Sequence, residues 1–160
     1  KGFKARPTTD MAREGLFNIL THREILEGAK ILDLFFGTGA MSLEFLSRGA
    51  ASATAIDIEK QSKAHLEKIA KEWSIDNLKI IHADVFRILK NPKGSFDLVF
   101  ADPPFAEKRI SKLPDLVLNA PWLGASGIFI LEHGSGNDFS DHPRLFEAHR
   151  FGSVHFSFFK

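Results

Sequence analysis

Lys30-Ile31-Leu32-Asp33-Leu34-Phe35-Phe36-Gly37-Thr38-Gly39 decides the fold. An apolar run carrying a single acid reads as a strand buried on both faces, as in a parallel sheet. Two glycines follow, and Ala40 to Arg48 then reads as a helix ended by Gly49, with Leu43 and Leu46 inward. Strand, glycine turn and helix make the first half of a βαβ unit. A turn that reverses sharply and lets a ligand approach needs residues without Cβ, which Gly37 and Gly39 supply. The helix N-terminus behind the turn offers unpaired N–H groups to an anionic group, carboxylate or phosphate alike.

Upstream, Thr8 to Leu20 reads as a helix, with Thr8, Thr9 and Asp10 as N-cap oxygens and Ala12, Leu16, Ile19 and Leu20 on one face. Downstream, strands and amphipathic segments alternate. Ala51 to Asp57, Leu78 to Asp84, Phe96 to Asp102 and Gly127 to His133 read as strands. Glu59 to Trp73, Val85 to Leu89 and Ile110 to Asn119 read as helices, Pro114 being tolerated near a first turn. The tail departs from this rhythm. Leu145 to Arg150 and Ser153 to Phe159 flank Phe151-Gly152 with no helix between, which predicts an antiparallel hairpin closing an otherwise parallel sheet.

The 160 residues fit one domain, and 44% hydrophobic with 26% charged content is globular. Lys and Arg number 21 against 20 Asp and Glu, a net charge of +1, which excludes a basic carpet binding nucleic acid by charge alone. With 0 Cys, disulfides, cysteine metal clusters and thiol catalysis are excluded. No apolar run is long enough to span a bilayer and no signal-peptide pattern opens the chain, so a cytoplasmic location is expected.

Asp57 ends the second strand 18 positions after Gly39. An acid at that strand tip can hold both hydroxyls of a ribose. Asp84, ending the third strand, can accept from an exocyclic amine such as that of adenine. Each acid is also a common helix N-cap, but a Gly-x-Gly tip followed by two acid tips points to a nucleoside. Ser42 stands where a dinucleotide fingerprint has its third glycine. Its bulk argues against the close helix packing expected over a pyrophosphate and favours S-adenosylmethionine.

Asp102-Pro103-Pro104-Phe105 follows the fourth strand. The amine of a nucleobase is a poor nucleophile because its lone pair is delocalised into the ring. The Asp102 carboxylate and the Pro103 carbonyl can each accept one of its N–H groups, turning the lone pair toward an electrophile. Pro103 and Pro104 stiffen the turn, and Phe105 can stack on the base. Taken alone, Asp-Pro-Pro is equally a rigid turn capping an amide.

Together these motifs resemble the class I S-adenosylmethionine-dependent methyltransferases that act on amino groups, and within them the bacterial RsmD family. The resemblance is carried by Arg6-Pro-Thr-Thr-Asp10, Glu14-Gly-Leu-Phe-Asn18, Asp33 to Gly39, Asp84-Val-Phe, Ala101 to Phe105, Ile130-Leu-Glu-His133 and Gly152 to Phe159. It implies a Rossmann-like α/β fold: a seven-stranded, mostly parallel sheet with an antiparallel last strand and helices on both faces. It implies a single domain over 1–160, with a helical lid at 1–29 and the core at 30–160. It implies methylation of the N2 amine of a guanine in small-subunit ribosomal RNA. The cofactor residues it implies are Asp33, Phe35, Gly37, Thr38, Gly39, Asp57, Ile58, Asp84 and Val85, with Arg6, Thr8 and Thr9 in the lid. Asp102, Pro103, Pro104 and Phe105 would hold the target amine. Members usually carry a basic arm ahead of Arg6-Pro-Thr-Thr-Asp10, and only Lys1 to Ala5 stands there in this sequence.

Direct attack of the amine on the sulfonium methyl needs no covalent enzyme intermediate and no metal, and the seven histidines show no ligand spacing. His133, at a strand end, is the one to watch. Lys108, Arg109 and Lys112 suit RNA phosphates or a solvated loop equally, and a monomer is expected. Three alternatives remain at this point: an amino-methyltransferase for adenine or cytosine in DNA, a dinucleotide-dependent oxidoreductase, and a non-catalytic S-adenosylmethionine-binding RNA-interaction module.

Overall fold

In the computed structural model, which describes residues 9–160, the elements follow in order. They are α1 (Asp10–His22), β1 (Lys30–Leu34), α2 (Ala40–Ser47), β2 (Ser52–Asp57), α3 (Lys60–Glu72), β3 (Leu78–His82) and α4 (Val85–Leu89). Then come β4 (Phe96–Ala101), a 3-10 turn (Ile110–Lys112), α5 (Leu113–Leu118), β5 (Leu123–His133), β6 (Leu145–Phe151) and β7 (Val154–Phe159). The strands form one seven-stranded sheet in the order β3-β2-β1-β4-β5-β7-β6. All pairs through β5 are parallel, and β7 runs antiparallel to both β5 and β6. The reversal of strand order beside β1 opens a crevice at the carboxyl ends of β1 and β4, where ligands of such sheets bind. No helix among the described residues is long and apolar enough to cross a membrane.

Alternation along β1 divides the core. Ile31 faces α1 and α2, in a cluster with Phe17, Phe45, Phe100, Ile130, Phe156 and Phe158. Leu32 and Leu34 face α4 and α5, in a cluster with Val85, Val99, Val117, Trp122, Phe129 and Leu131. Most of the sixteen phenylalanines serve these layers. Phe45 meets Phe17 edge-on at 5.0 Å and Phe100 at 6.0 Å, an arrangement that aromatic quadrupoles favour.

Thr9 is the N-cap of α1, its hydroxyl accepting from Ala12 N at 3.3 Å. Ala12, Leu16, Phe17 and Leu20 of α1 are buried. Gly15 leaves room for the Phe151 ring, which would overlap any Cβ placed there. The N-terminal helix is thus packed against both the sheet and the closing hairpin. In α2 the most buried residues are Met41, Ser42 and Phe45, while Leu43 and Leu46 are half-buried. Leu43 packs against the small cluster of Phe36, Ala55 and Leu66, and Leu46 against the edge of the core on the α1 side. The fifth strand starts earlier than the sequence suggests. Leu123 pairs with Phe96 before an irregularity shifts the register to Leu98–Ile128, and small, exposed Gly124, Ala125 and Ser126 conceal that pairing.

The packing of α1 has a measurable consequence. Phe17→Ala is expected to lower unfolding free energy by about 3–5 kcal/mol, as for large-to-small changes in closed cores. Urea denaturation followed by circular dichroism reads this, and a loss under about 1 kcal/mol would mean that α1 is not part of the cooperative unit.

Candidate active site at the carboxyl edge of the sheet

The loop from Phe35 to Gly39 turns the chain from β1 into α2. Phe35 (φ 60°), Gly37 (58°) and Gly39 (84°) all occupy the left-handed region. Only glycine adopts it without strain, so the Phe35 conformation is held by its surroundings. Phe35 N donates to Ile56 O at 2.8 Å, and Gly39 N donates to Phe36 O at 2.8 Å. The Thr38 hydroxyl accepts from Ala40 N at 3.2 Å. A Cβ on Gly39 would stand 2.5 Å from the Leu66 side chain, so space as well as torsion demands glycine there.

Asp57 braces this loop. One carboxylate oxygen accepts from Gly37 N at 2.9 Å and the other from Glu59 N at 2.8 Å. Asp57 is buried, whereas its neighbour Ile58 is 58% exposed. Each carboxylate oxygen has two acceptor sites, so both can take a further hydroxyl. Asp84 caps α4 by accepting from Phe86 N at 3.0 Å. The N-cap reading and a ligand reading are therefore compatible, since the cap uses only one of its oxygens. Val85 behind it is buried.

Asp102 N donates to Leu34 O at 3.3 Å, tying the Asp102–Phe105 turn to the end of β1. Pro103 is buried, Pro104 is exposed, and Phe105 is 90% exposed. The sheet therefore gathers Asp33 to Gly39, Asp57, Asp84 and Asp102 to Phe105 along one edge. Arg6 and Thr8 lie outside the described residues.

Other features were not legible. Ser42 is fully buried, and its hydroxyl donates to Asp33 at 2.6 Å. The sequence shows this hydroxyl only as added bulk, and the structure gives it a partner inside the core. Arg109 is already engaged by neighbouring side chains. Its guanidinium forks onto Glu107 at 2.9 Å through both Nε and Nη2 and lies 3.8 Å over the Phe86 ring. Those hydrogen bonds hold the Glu107 carboxyl below its usual range. Lys108 and Lys112 remain exposed. Glu132, a strand-ending acid like the others, is 8% exposed; the rule that singled out Asp57 and Asp84 also reaches it.

His133 is structural. Its Nδ1 lies 2.9 Å from Gly134 O and therefore carries the hydrogen, so Nε2 accepts from the Ser157 hydroxyl at 2.7 Å. Burial holds its pKa below the usual histidine value. No group of three or more metal-ligating side chains occurs among the described residues.

A family model described as conserved hypothetical protein 95 matches residues 1–160. The chain is 37% identical over 127 residues to the ribosomal RNA small subunit methyltransferase D of Buchnera aphidicola subsp. Baizongia pistaciae, covering 79% of this chain and 64% of that protein. It is 32% identical over 145 residues to the protein of the same name from Escherichia coli K12, covering 91% and 72% respectively. The chain thus spans less than two thirds of the first relative's length. A solved structure of the Escherichia coli protein yhhF superposes with a TM-score of 0.84 at 29% identity, covering 97% of this chain and 86% of that one.

Asp33 carries the site's main electrostatic signature. Burial pushes its carboxyl from 3.8 up to about 7, aided by the charges of Asp57 and Glu132 and opposed by the Ser42 hydrogen bond. The folded chain keeps this proton where the unfolded chain has lost it. Asp33 therefore stabilises fully below pH 3.8, and that contribution is lost as pH rises toward 7. Asp33→Asn cannot ionise, and its stability relative to the parent is expected to rise by up to about 4 kcal/mol between pH 4 and pH 8. Urea titrations across that range test this, and a pH-independent difference would contradict it.

Proposed function

The chain belongs to the RsmD family, whose model is described as conserved hypothetical protein 95, and from that premise we propose that it methylates the N2 amine of a guanine in small-subunit ribosomal RNA, using S-adenosylmethionine. Its sheet is the class I methyltransferase sheet. The observation that carries the reading is the Asp102–Phe105 turn at the carboxyl end of β4, anchored to the end of β1 and presenting Phe105 at 90% exposure.

The residues present fit the cofactor by their chemistry. Asp57 has acceptor sites left for two ribose hydroxyls, and Asp84 has a second carboxylate oxygen for the adenine amine. Ile58, exposed next to Asp57, offers apolar surface there, while Val85 is buried behind Asp84. Asp57, Asp84, Asp102 and Glu132 make the edge acidic, which suits a ligand with a sulfonium and an ammonium better than one with a pyrophosphate. Bound there, S-adenosylmethionine supplies a methyl carbon on a cationic sulfur, and that carbon–sulfur bond breaks as the amine's bond to carbon forms.

The protein's own contribution is positioning and exclusion of water. The target base leaves its stack to reach the turn. Phe105 stacks on its face, and Asp102 and the Pro103 carbonyl accept the two N–H groups of the amine. That draws the nitrogen toward tetrahedral geometry and aims its lone pair along the line of attack. Asp102 orients rather than acts as a strong base, and one amine proton passes to water after transfer. The rigidity that this needs comes from Pro103 and Pro104, which fix φ at consecutive positions.

Two measurements test the reading. Calorimetry is expected to show S-adenosylmethionine binding that Asp57→Ala weakens by about 10-fold or more, with no response to NAD; preference for NAD would sink the proposal. Asp102→Ala is expected to keep cofactor binding while methyl transfer to small-subunit ribosomal RNA falls by about 100-fold or more. Transfer that survives the substitution, or that goes to DNA instead, would exclude the assigned role.

A further inference from the structure

Glu132 is the acid of this edge for which cofactor binding gives no task. Its place follows from the β4–β5 register. Ala101 pairs with Leu131 on parallel neighbours, so the residues that follow, Asp102 and Glu132, stand side by side about 4.8 Å apart in the strand-to-strand direction. Ile130, two residues before Glu132, belongs to the core cluster on the α1 and α2 side. Alternation along the strand therefore turns Glu132 to that side too, where Asp33 also points and where the charge of Glu132 is felt by the Asp33 carboxyl. At 8% exposure the Glu132 side chain is withdrawn from bulk solvent, so a hydrogen bond made to it counts for more than one made at the surface.

The pairing edges of the bases give this position a meaning. Guanine presents N1–H beside its N2 amine, two donor groups in a row. Adenine and cytosine present, beside their amines, a bare ring nitrogen with a lone pair. A carboxylate is an acceptor only, so beside the amine-holding Asp102 it attracts the guanine edge and repels the other two. We propose that Glu132 accepts the N1–H of the target base and is the residue that selects guanine over adenine and cytosine. The inference rests on the reading that this turn holds the N2 amine of a guanine. Asp102 and Pro103 then serve any exocyclic amine, and Glu132 supplies the identity of the base.

The test uses 2-aminopurine, which keeps the 2-amine but has an unprotonated N1. The guanine methylated by the full chain is mapped by mass spectrometry in small-subunit ribosomal RNA and then replaced by 2-aminopurine. The parent protein is expected to lose about 100-fold or more in kcat/KM on the replaced RNA, because a buried acceptor then faces a lone pair. Glu132→Gln can turn its amide N–H toward that lone pair. It is expected to work less well on guanine, better than the parent on 2-aminopurine, and so to collapse the ratio by at least about 10-fold. An unchanged melting temperature and unchanged S-adenosylmethionine affinity establish that the variant is folded. If it does not fold, the parent's ratio alone decides. A parent that accepts both bases equally, or a variant that lowers both equally, overturns the role of Glu132 while leaving guanine methylation standing. Failure of the parent to form any N2-methylguanosine overturns the functional reading and the inference with it.

Discussion

The Ser42–Asp33 hydrogen bond is the contact on which the site depends. It joins the first turn of α2 to the middle of β1 inside the core, where neither group reaches water. Left unpaired, either would cost more than the bond returns, so the pair has essentially one acceptable arrangement. That arrangement sets the distance the intervening loop must cover. Phe35 to Gly39 spans it only by passing three times through the left-handed region. Once the loop is drawn into that shape, Gly37 N meets Asp57, and the carboxylate that holds the loop is itself held for a ligand. Fold and site are thus one construction: the seat of a helix fixes a loop, and the loop fixes an acid.

The acids along this edge also explain how a polar site survives beside a packed core. Asp57 and Asp84 each accept backbone N–H groups at the start of the segment that follows their strand. Those hydrogen bonds satisfy carboxylate oxygens that the fold withdraws from water. Asp33, which accepts from Ser42, is buried more deeply and holds its proton up to about pH 7, burial and the charges of Asp57 and Glu132 outweighing that hydrogen bond. A cation arriving at the edge relieves this mutual repulsion, while a pyrophosphate adds to it.

Much of this was legible because it follows periodicity and turn chemistry. The apolar run of β1, the acids at strand tips and the helix-free tail each have a local physical cause, and the sheet order agrees with them. Legibility failed where the cause is a contact between distant residues. Ser42 reads as a bulky substitute for glycine until its partner nine residues earlier is seen. Arg109 reads as a free cation until Glu107 and Phe86 are found around it. Leu123 reads as loop because its pairing with Phe96 sits beyond a register shift. Periodicity describes how a segment faces the core, whereas these features depend on which segment it meets there.

The turn after β4 shows how the two kinds of information combine. Its residue types announce stiffness, but two consecutive prolines limit only their own torsions. The rest of the segment is fastened by contacts. Asp102 N is bonded to Leu34 O and Glu107 N to Pro104 O, while Glu107 holds Arg109 in a two-pronged ion pair laid across Phe86. Phe105 lies between these fixed points and yet is almost wholly exposed. An aromatic ring on a flexible loop can reduce its exposure by folding back onto the protein. One on a segment pinned at both ends has less freedom to do so. The ring is therefore kept ready for a flat partner brought from outside, and the ordering cost of that encounter has been met by the fold before the partner arrives.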